Sequence, residues 1–170
     1  MSNNRFQYFV EGETEKKLIE ELKKEQSYII SGKVSVFNVI EKKIPNAVIT
    51  DLRNSTVAIL VFDTDKKEIS VLQENITRLK RCKNIKEIWC VMQVEDLEDE
   101  LIRATDVKEI KELIGCRSNN DFKRDFLREK RLMYKLRNHQ FQIEKMWVTQ
   151  PSEEYKSFRN DGKRIVLFKP

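Results

Sequence analysis

Residues 57–62, Val57-Ala58-Ile59-Leu60-Val61-Phe62, form an unbroken apolar run that stops at Asp63. A strand with one wet face alternates apolar and polar side chains. A run without a polar member suits a strand covered on both faces, the condition found inside a parallel sheet. Parallel neighbours need long crossover connections, usually helical. The chain supplies both kinds of segment. Residues 5–10, 33–40 and 85–92 read as further strands. Helical spacing marks 13–25 through Leu18, Ile19 and Leu22, and 66–80 through Ile69, Leu72, Ile76 and Leu79. Residues 95–104 and 107–114 also read as helices, and 45–54 as a loop with a short helix. This alternation predicts an α/β fold, a mostly parallel central sheet with helices on both faces.

The last third reads differently. Residues 121–138 have the pattern of one long amphipathic helix, with Phe122, Phe126, Met133 and Leu136 on one face and Arg124, Arg128, Arg131 and Lys135 in a basic stripe on another. Residues 146–149 and 165–168 read as short strands, the latter after the turn signal Asn160-Asp161-Gly162-Lys163. A length of 170 residues suits one domain. Residues 1–116 form its expected catalytic core, and 117–170 a basic helix and short strands that complete it. No apolar run approaches the ~20 residues of a membrane span, and the first residues lack the apolar stretch of a signal peptide. The expectation is a cytoplasmic protein with no membrane partner. Cys82, Cys90 and Cys116 show no Cys-x-x-Cys spacing and the single histidine is His139, which argues against structural zinc and for a reducing compartment.

Charge is divided along the chain. Residues 117–170 carry 14 Lys/Arg against 7 Asp/Glu, whereas 1–116 carry 19 against 21, within an overall charge of +5. A cation pocket beside a surface for polyanions has this signature, although a charge-rich solvated surface has it too. The acids of the front part are grouped. Glu11 follows the first strand, with Gly12, Glu13, Thr14 and Glu15 after it, and Asp63-Thr64-Asp65 ends the 57–62 run. In open α/β sheets, ligands bind where strands end. Asp63 and Asp65 point the same way if the segment stays extended, and two carboxylates on one side suit a hard cation such as Mg²⁺. Glu11 at a neighbouring strand end would complete the shell or, with its pKa raised by the aspartates, act as acid or base. Glu15, one helical turn on, could reach the same place, with favourable charge in a helix's first turn as the equal alternative. Glu13 is better explained as favourable charge in a helix's first turn.

Val10-Glu11-Gly12 followed by Val61-Phe62-Asp63-Thr64-Asp65 resembles the Toprim family, the catalytic domain of topoisomerases, bacterial primases, RNA-maturation nucleases and OLD-type nucleases. The resemblance covers roughly the first hundred residues. The wording from Val10 to Glu15 is most similar to the OLD-like branch, in which a second Glu follows the first by four. It implies a Toprim/Rossmann-like fold, with Glu11 as catalytic or metal-binding Glu and Asp63 and Asp65 as Mg²⁺ (or Mn²⁺) ligands. By the same resemblance Glu98, in the acidic stretch after the 85–92 strand, takes the place of a second-metal ligand. An acidic, solvated helix start is the slightly favoured explanation of Glu98. The chain departs from OLD-like proteins in having no Gly-x-x-x-x-Gly-Lys-Ser/Thr loop. It resembles a stand-alone Toprim protein of the kind that works with a partner ATPase in phage defence, with a homo-oligomer as a further expectation.

The function expected is Mg²⁺-dependent phosphodiester hydrolysis of DNA or RNA. Glu11 or Glu15 would handle protons, and the stripe Arg124, Arg128, Arg131 and Lys135 would track phosphates. Tyr134, Trp147 and Tyr155 are candidates for base stacking, with core packing favoured for Trp147. Lys163 is a candidate for neutralising a transition-state phosphate. Two alternatives stand beside it. One is a non-catalytic Toprim-like module that binds nucleic acid or a partner. The other is a haloacid-dehalogenase-type phosphatase, disfavoured because Lys67 stands where that motif carries Thr or Val.

Overall fold

The computed structural model describes residues 4–24 and 28–167. Four strands, β1 (Arg5–Val10), β2 (Lys33–Val36), β3 (Thr56–Asp63) and β4 (Ile85–Gln93), form one parallel sheet in the order β2-β1-β3-β4. The connections are α1 (Glu13–Lys24) between β1 and β2, α2 (Asn46–Thr50) between β2 and β3, and α3 (Ser70–Arg81) between β3 and β4. The architecture is α/β with an all-parallel sheet, as the alternation of apolar runs and helical segments predicts, and is consistent with the Toprim/Rossmann-like fold that the resemblance implies. Position 25 of the expected first helix lies outside the described residues. The second strand stops at Val36, four residues short of its expected end.

Burial follows the pleat. Tyr8, Val10, Val57, Ile59, Val61 and Val91 face one core with Leu18, Ile19 and Leu22 of α1. Phe9, Leu60, Phe62 and Met92 face the other, under Leu72, Ile76 and Leu79 of α3. After β4 the chain forms α4 (Leu97–Arg103), α5 (Ile110–Ile114), α6 (Phe122–Arg128) and α7 (Leu132–Asn138). Phe122, Phe126, Met133 and Leu136 join the α1 face, so residues before and after 116 share that core. His139 is the C-cap of α7 and meets Asp106 at 3.1 Å.

Three expectations for the C-terminal third are corrected. The single helix over 121–138 is two helices. Glu129 leaves α6 in an extended conformation (φ −65°, ψ 117°), and Lys17 of α1 donates to the carbonyls of Leu127 (2.9 Å) and Glu129. A lysine from another helix thus satisfies the acceptors that a continuous helix would have used internally. Residues 146–149 are a turn, not a strand. Trp147 sits there at φ 57°, buried, and donates its backbone N–H to Oε2 of the wholly buried Glu100 (2.8 Å). The expected strand 165–168 is replaced by α8 (Gly162–Ile165), after which Val166 makes one antiparallel bridge to Ile29; position 168 lies outside the described residues. Gly162 is required here, since a Cβ would fall 2.4 Å from Cβ and 2.5 Å from the carbonyl oxygen of Trp147. No helix among the described residues is long and apolar enough to cross a membrane.

One buried amide pins the loop that follows β2. Asn75 of α3 has no exposure; its Oδ1 accepts from the Ile44 N–H (2.8 Å), and its Nδ2 donates to the carbonyls of Val39 (2.9 Å) and Lys42 (2.8 Å). Removing one partner of a buried hydrogen bond costs about 1–3 kcal/mol per stranded group. Asn75→Ala is expected to lower the unfolding free energy in urea by roughly 2–4 kcal/mol. A loss below ~0.5 kcal/mol, the range of an ordinary surface change, would mean that the loop is held by something else.

Candidate functional site

The order β2-β1-β3-β4 reverses direction between β1 and β3, because the chain leaves β1 towards one side for β2 and returns to its other side for β3. The crevice beyond the C-terminal ends of two such strands is where open α/β sheets bind ligands. Glu11 follows the last residue of β1, and Asp63 is the last residue of β3. Val10 pairs with Val61 in the ladder, which sets the two carboxylates side by side. Oε2 of Glu11 accepts from the Asp63 backbone N–H (3.2 Å), and its Oε1 accepts from Nδ2 of Asn38 (3.0 Å). Asn38 is itself held by a local turn, its Oδ1 accepting from the N–H groups of Ile40 and Glu41 (both 3.1 Å). On the other side, Gln93 of β4 donates from Nε2 to Oδ1 of Asp63 (2.6 Å).

Glu15 lies in the first turn of α1 and is buried. Gly12 leaves space for it, since a Cβ there would fall 2.9 Å from Glu15 Oε2. Glu98, in the first turn of α4, places Oε1 3.4 Å from Nζ of Lys123 on α6. The other oxygen, Oε2, is buried and has no hydrogen-bond partner among the described residues. Asp65 is exposed, 3.7 Å from Lys66.

The charges act on one another. Burial, then the carboxylates of Glu11 and Glu15, push the Asp63 carboxyl up to about 8, against the opposing bond from Gln93. Burial also raises Glu11; the Asp63 N–H opposes it and the charges of Asp65 and Glu41 add to it. Glu15 is raised by burial and by Glu11 and Glu98. Burial alone would pull the Lys123 ammonium down, but Glu98, Glu15 and Asp63 together outweigh it and hold the ammonium above its ordinary value.

Glu11, Asp63, Glu15 and Glu98 are therefore drawn into one electrostatic cluster, with Asp65 at its solvent side. Among the described residues, no three His, Cys, Asp or Glu side chains converge on a common point as an ion would require. Asn38, Gln93 and Lys123 instead engage oxygens that an ion would take. The donor set is nevertheless one of hard oxygens in excess of positive charge, with the orphaned Glu98 Oε2 in its wall. That chemistry fits Mg²⁺ or Mn²⁺.

The basic residues are arranged otherwise than a stripe. Arg124 is tied to Asp121 (3.0 Å) and Asp125 (2.8 Å). Arg128 is exposed at the end of α6, while Arg131, in the break between helices, lies over the ring of Tyr134 (5.3 Å). Lys135 is half-buried on α7. Tyr134 is exposed, whereas Trp147 and Tyr155 are buried and offer no stacking surface. Tyr155 instead donates to the Lys66 carbonyl (2.7 Å), bracing the loop that bears Asp65. Lys163 is exposed on α8, on the outer flank of β4. Its neighbour Arg164 pairs with Glu87 (2.7 Å), six residues before Gln93, about 20 Å along the strand from the carboxylates.

Lys123, Asn38 and Gln93 are the site residues that sequence reasoning missed. Lys123 is one of many cations in its segment, and only its position one residue after the core residue Phe122 sets it apart. Gln93, a polar residue closing an apolar strand run, carried a readable signal. No protein-family model, curated protein or solved structure matches the chain.

The raised Asp63 carboxyl has a consequence for stability. The folded protein keeps a proton that the unfolded chain releases near 3.8, so between that value and about 8 the native state binds more protons and stability falls as pH rises. In chelator-treated protein, the thermal midpoint is expected to drop across this window. Asp63→Asn should flatten the drop and raise the midpoint by a few degrees at pH 8. An equal slope in both proteins would place the buried charge elsewhere.

Proposed function

We propose that this chain is a Toprim-type, metal-dependent nuclease whose acidic cluster hydrolyses phosphodiester bonds in DNA or RNA. The observation that carries the reading is the pairing of Glu11 with Asp63 at the C-terminal ends of adjacent parallel strands, where the fold reverses direction. Glu11, Asp63 and Asp65 would hold one cation, and Glu98 a second. Bound there, Mg²⁺ or Mn²⁺ would polarise the scissile phosphate and make water a better nucleophile at neutral pH. The chain's own groups do the rest. Glu15, buried with its pKa raised, is suited to take the proton of the attacking water while its oxygen bonds phosphorus and the ester bond to the leaving oxygen breaks. Lys123, the cation closest to Glu98, is placed to bind the phosphate and to shield its charge from the carboxylates. Exposed Arg131 lies over the exposed Tyr134 ring, a cation joined to a stacking surface, the chemistry that holds a single strand. Lys163, on the outer flank of β4, and the buried rings of Trp147 and Tyr155 have no part in this reading.

One observation favours a second reading. Asn38, Gln93 and Lys123 already engage the acids, and a cluster satisfied by protein groups serves a non-catalytic binding module equally well. Plasmid and single-stranded RNA cleavage with Mg²⁺ or Mn²⁺ separates the two. The nuclease reading expects cleavage that falls at least about 100-fold in Asp63→Asn and in Glu11→Gln. It also expects a metal-dependent rise in melting temperature that both variants lose. Cleavage that survives in both variants would reject the assignment. No cleavage and no thermal response to either metal would support the binding module.

A further inference from the structure

A second site is built at the opposite end of the sheet. A cavity of about 440 Å³ opens beside the N-terminal ends of β1, β2 and β3. It exists because α2 is short. Five helical residues extend about 7.5 Å, whereas β1 alone runs about 20 Å, so the lower part of this sheet face is left uncovered. Its volume falls within the roughly 300–1,000 Å³ of small-molecule sites.

The lining has a definite chemistry. Arg5, Lys33 and Arg53 come from three separate segments of the chain and stand around one opening, against the single acid Asp51. None of the four has an ion-pair partner among the described residues. Arginine forks recognise phosphate through paired charge-assisted hydrogen bonds. The floor is polar. Gln7 is buried, and its Nε2 donates to the Tyr8 carbonyl (2.9 Å) and to Ser35 Oγ (3.1 Å). Both amide hydrogens are thereby used, which leaves Oε1 as a fixed acceptor without a partner among the described residues. Phe9, Val48 and Leu52 supply apolar wall beside it.

We propose that this cavity binds a nucleoside monophosphate. The phosphate takes the three cations, the flat base lies against the apolar wall, and Gln7 Oε1 accepts from a base N–H. A bare phosphate would use the rim and leave the floor idle; an uncharged nucleoside would leave the cations unpaired. The site lies at the far pole from the carboxylates and is independent of any activity there.

Calorimetry on the full chain in EDTA tests this with AMP, GMP, CMP and UMP, and with adenosine and inorganic phosphate as partial ligands. At least one nucleotide is expected to bind more tightly than both partial ligands. Arg53→Glu and Lys33→Glu, both exposed positions, should each weaken it at least about ten-fold, while Asp63→Asn should leave it unchanged. The proposal fails if no nucleotide binds more tightly than about 1 mM, or if inorganic phosphate binds as well as the best of them. It also fails if binding persists in both charge-reversed variants or disappears in Asp63→Asn.

Discussion

The structure is organised around a concentration of like charge that the sheet itself creates. Parallel strands all end on the same side, and the order β2-β1-β3-β4 puts the ends of β1 and β3 next to one another. Glu11 and Asp63 have nowhere else to go once Val10 pairs with Val61. In a half-buried crevice, two neighbouring carboxylates cannot both ionise cheaply; Glu15 adds to the field at Asp63, and Glu98 to the field at Glu15. Much of the surrounding structure can be understood as the means of tolerating this arrangement.

Those means come from every layer of the fold. Asn38 reaches Glu11 from the loop after β2, a loop pinned from below by Asn75 of α3. Gln93 reaches Asp63 across the sheet from β4. Lys123 enters from α6, the first helix of the basic C-terminal third, and meets Glu98 there. Because α6 packs through Phe122 and Phe126 onto the core under α1, the C-terminal segment contributes a cation to the site as well as covering apolar surface. The charge division seen along the sequence thus has a local counterpart, an acidic front half neutralised by a residue of the basic rear half.

The central sheet was legible because strands buried on both faces must be apolar throughout, and 57–62 and 85–92 are nearly so. The acidic pair was legible because strand ends are where such a fold exposes carboxylates. Other features depend on contacts between segments far apart in sequence. Residues 121–138 carry an unbroken helical period, yet Lys17, more than a hundred positions earlier, takes the carbonyls of Leu127 and Glu129 and stabilises the interruption. The short runs at 146–149 and 165–168 have strand composition, but Trp147 at φ 57° is committed to Glu100, and Gly162 packs against it too closely for any side chain. Periodicity records which face of a segment is buried; it does not record who supplies the hydrogen bonds at its ends.

The same reasoning explains the last residues described. β4 is an edge strand, and an unpaired edge invites association with another chain. Here the edge is occupied. The Asp161 N–H donates to the Cys90 carbonyl (2.6 Å), and the Cys90 N–H returns a bond to Asp161 Oδ2 (3.1 Å). Arg164 then closes over the Trp89 ring at 4.1 Å while pairing with Glu87. The turn signal Asn160-Asp161-Gly162-Lys163 and the helix it opens thus protect the edge with one residue's worth of ladder and a turn of helix. Tyr155, just upstream, braces Lys66 beside Asp65. Edge protection and support of the acidic loop therefore come from one stretch of chain. A change that loosens residues 155–164 would reach the carboxylates through Lys66 and the core through Tyr155, whose ring stacks on Phe62.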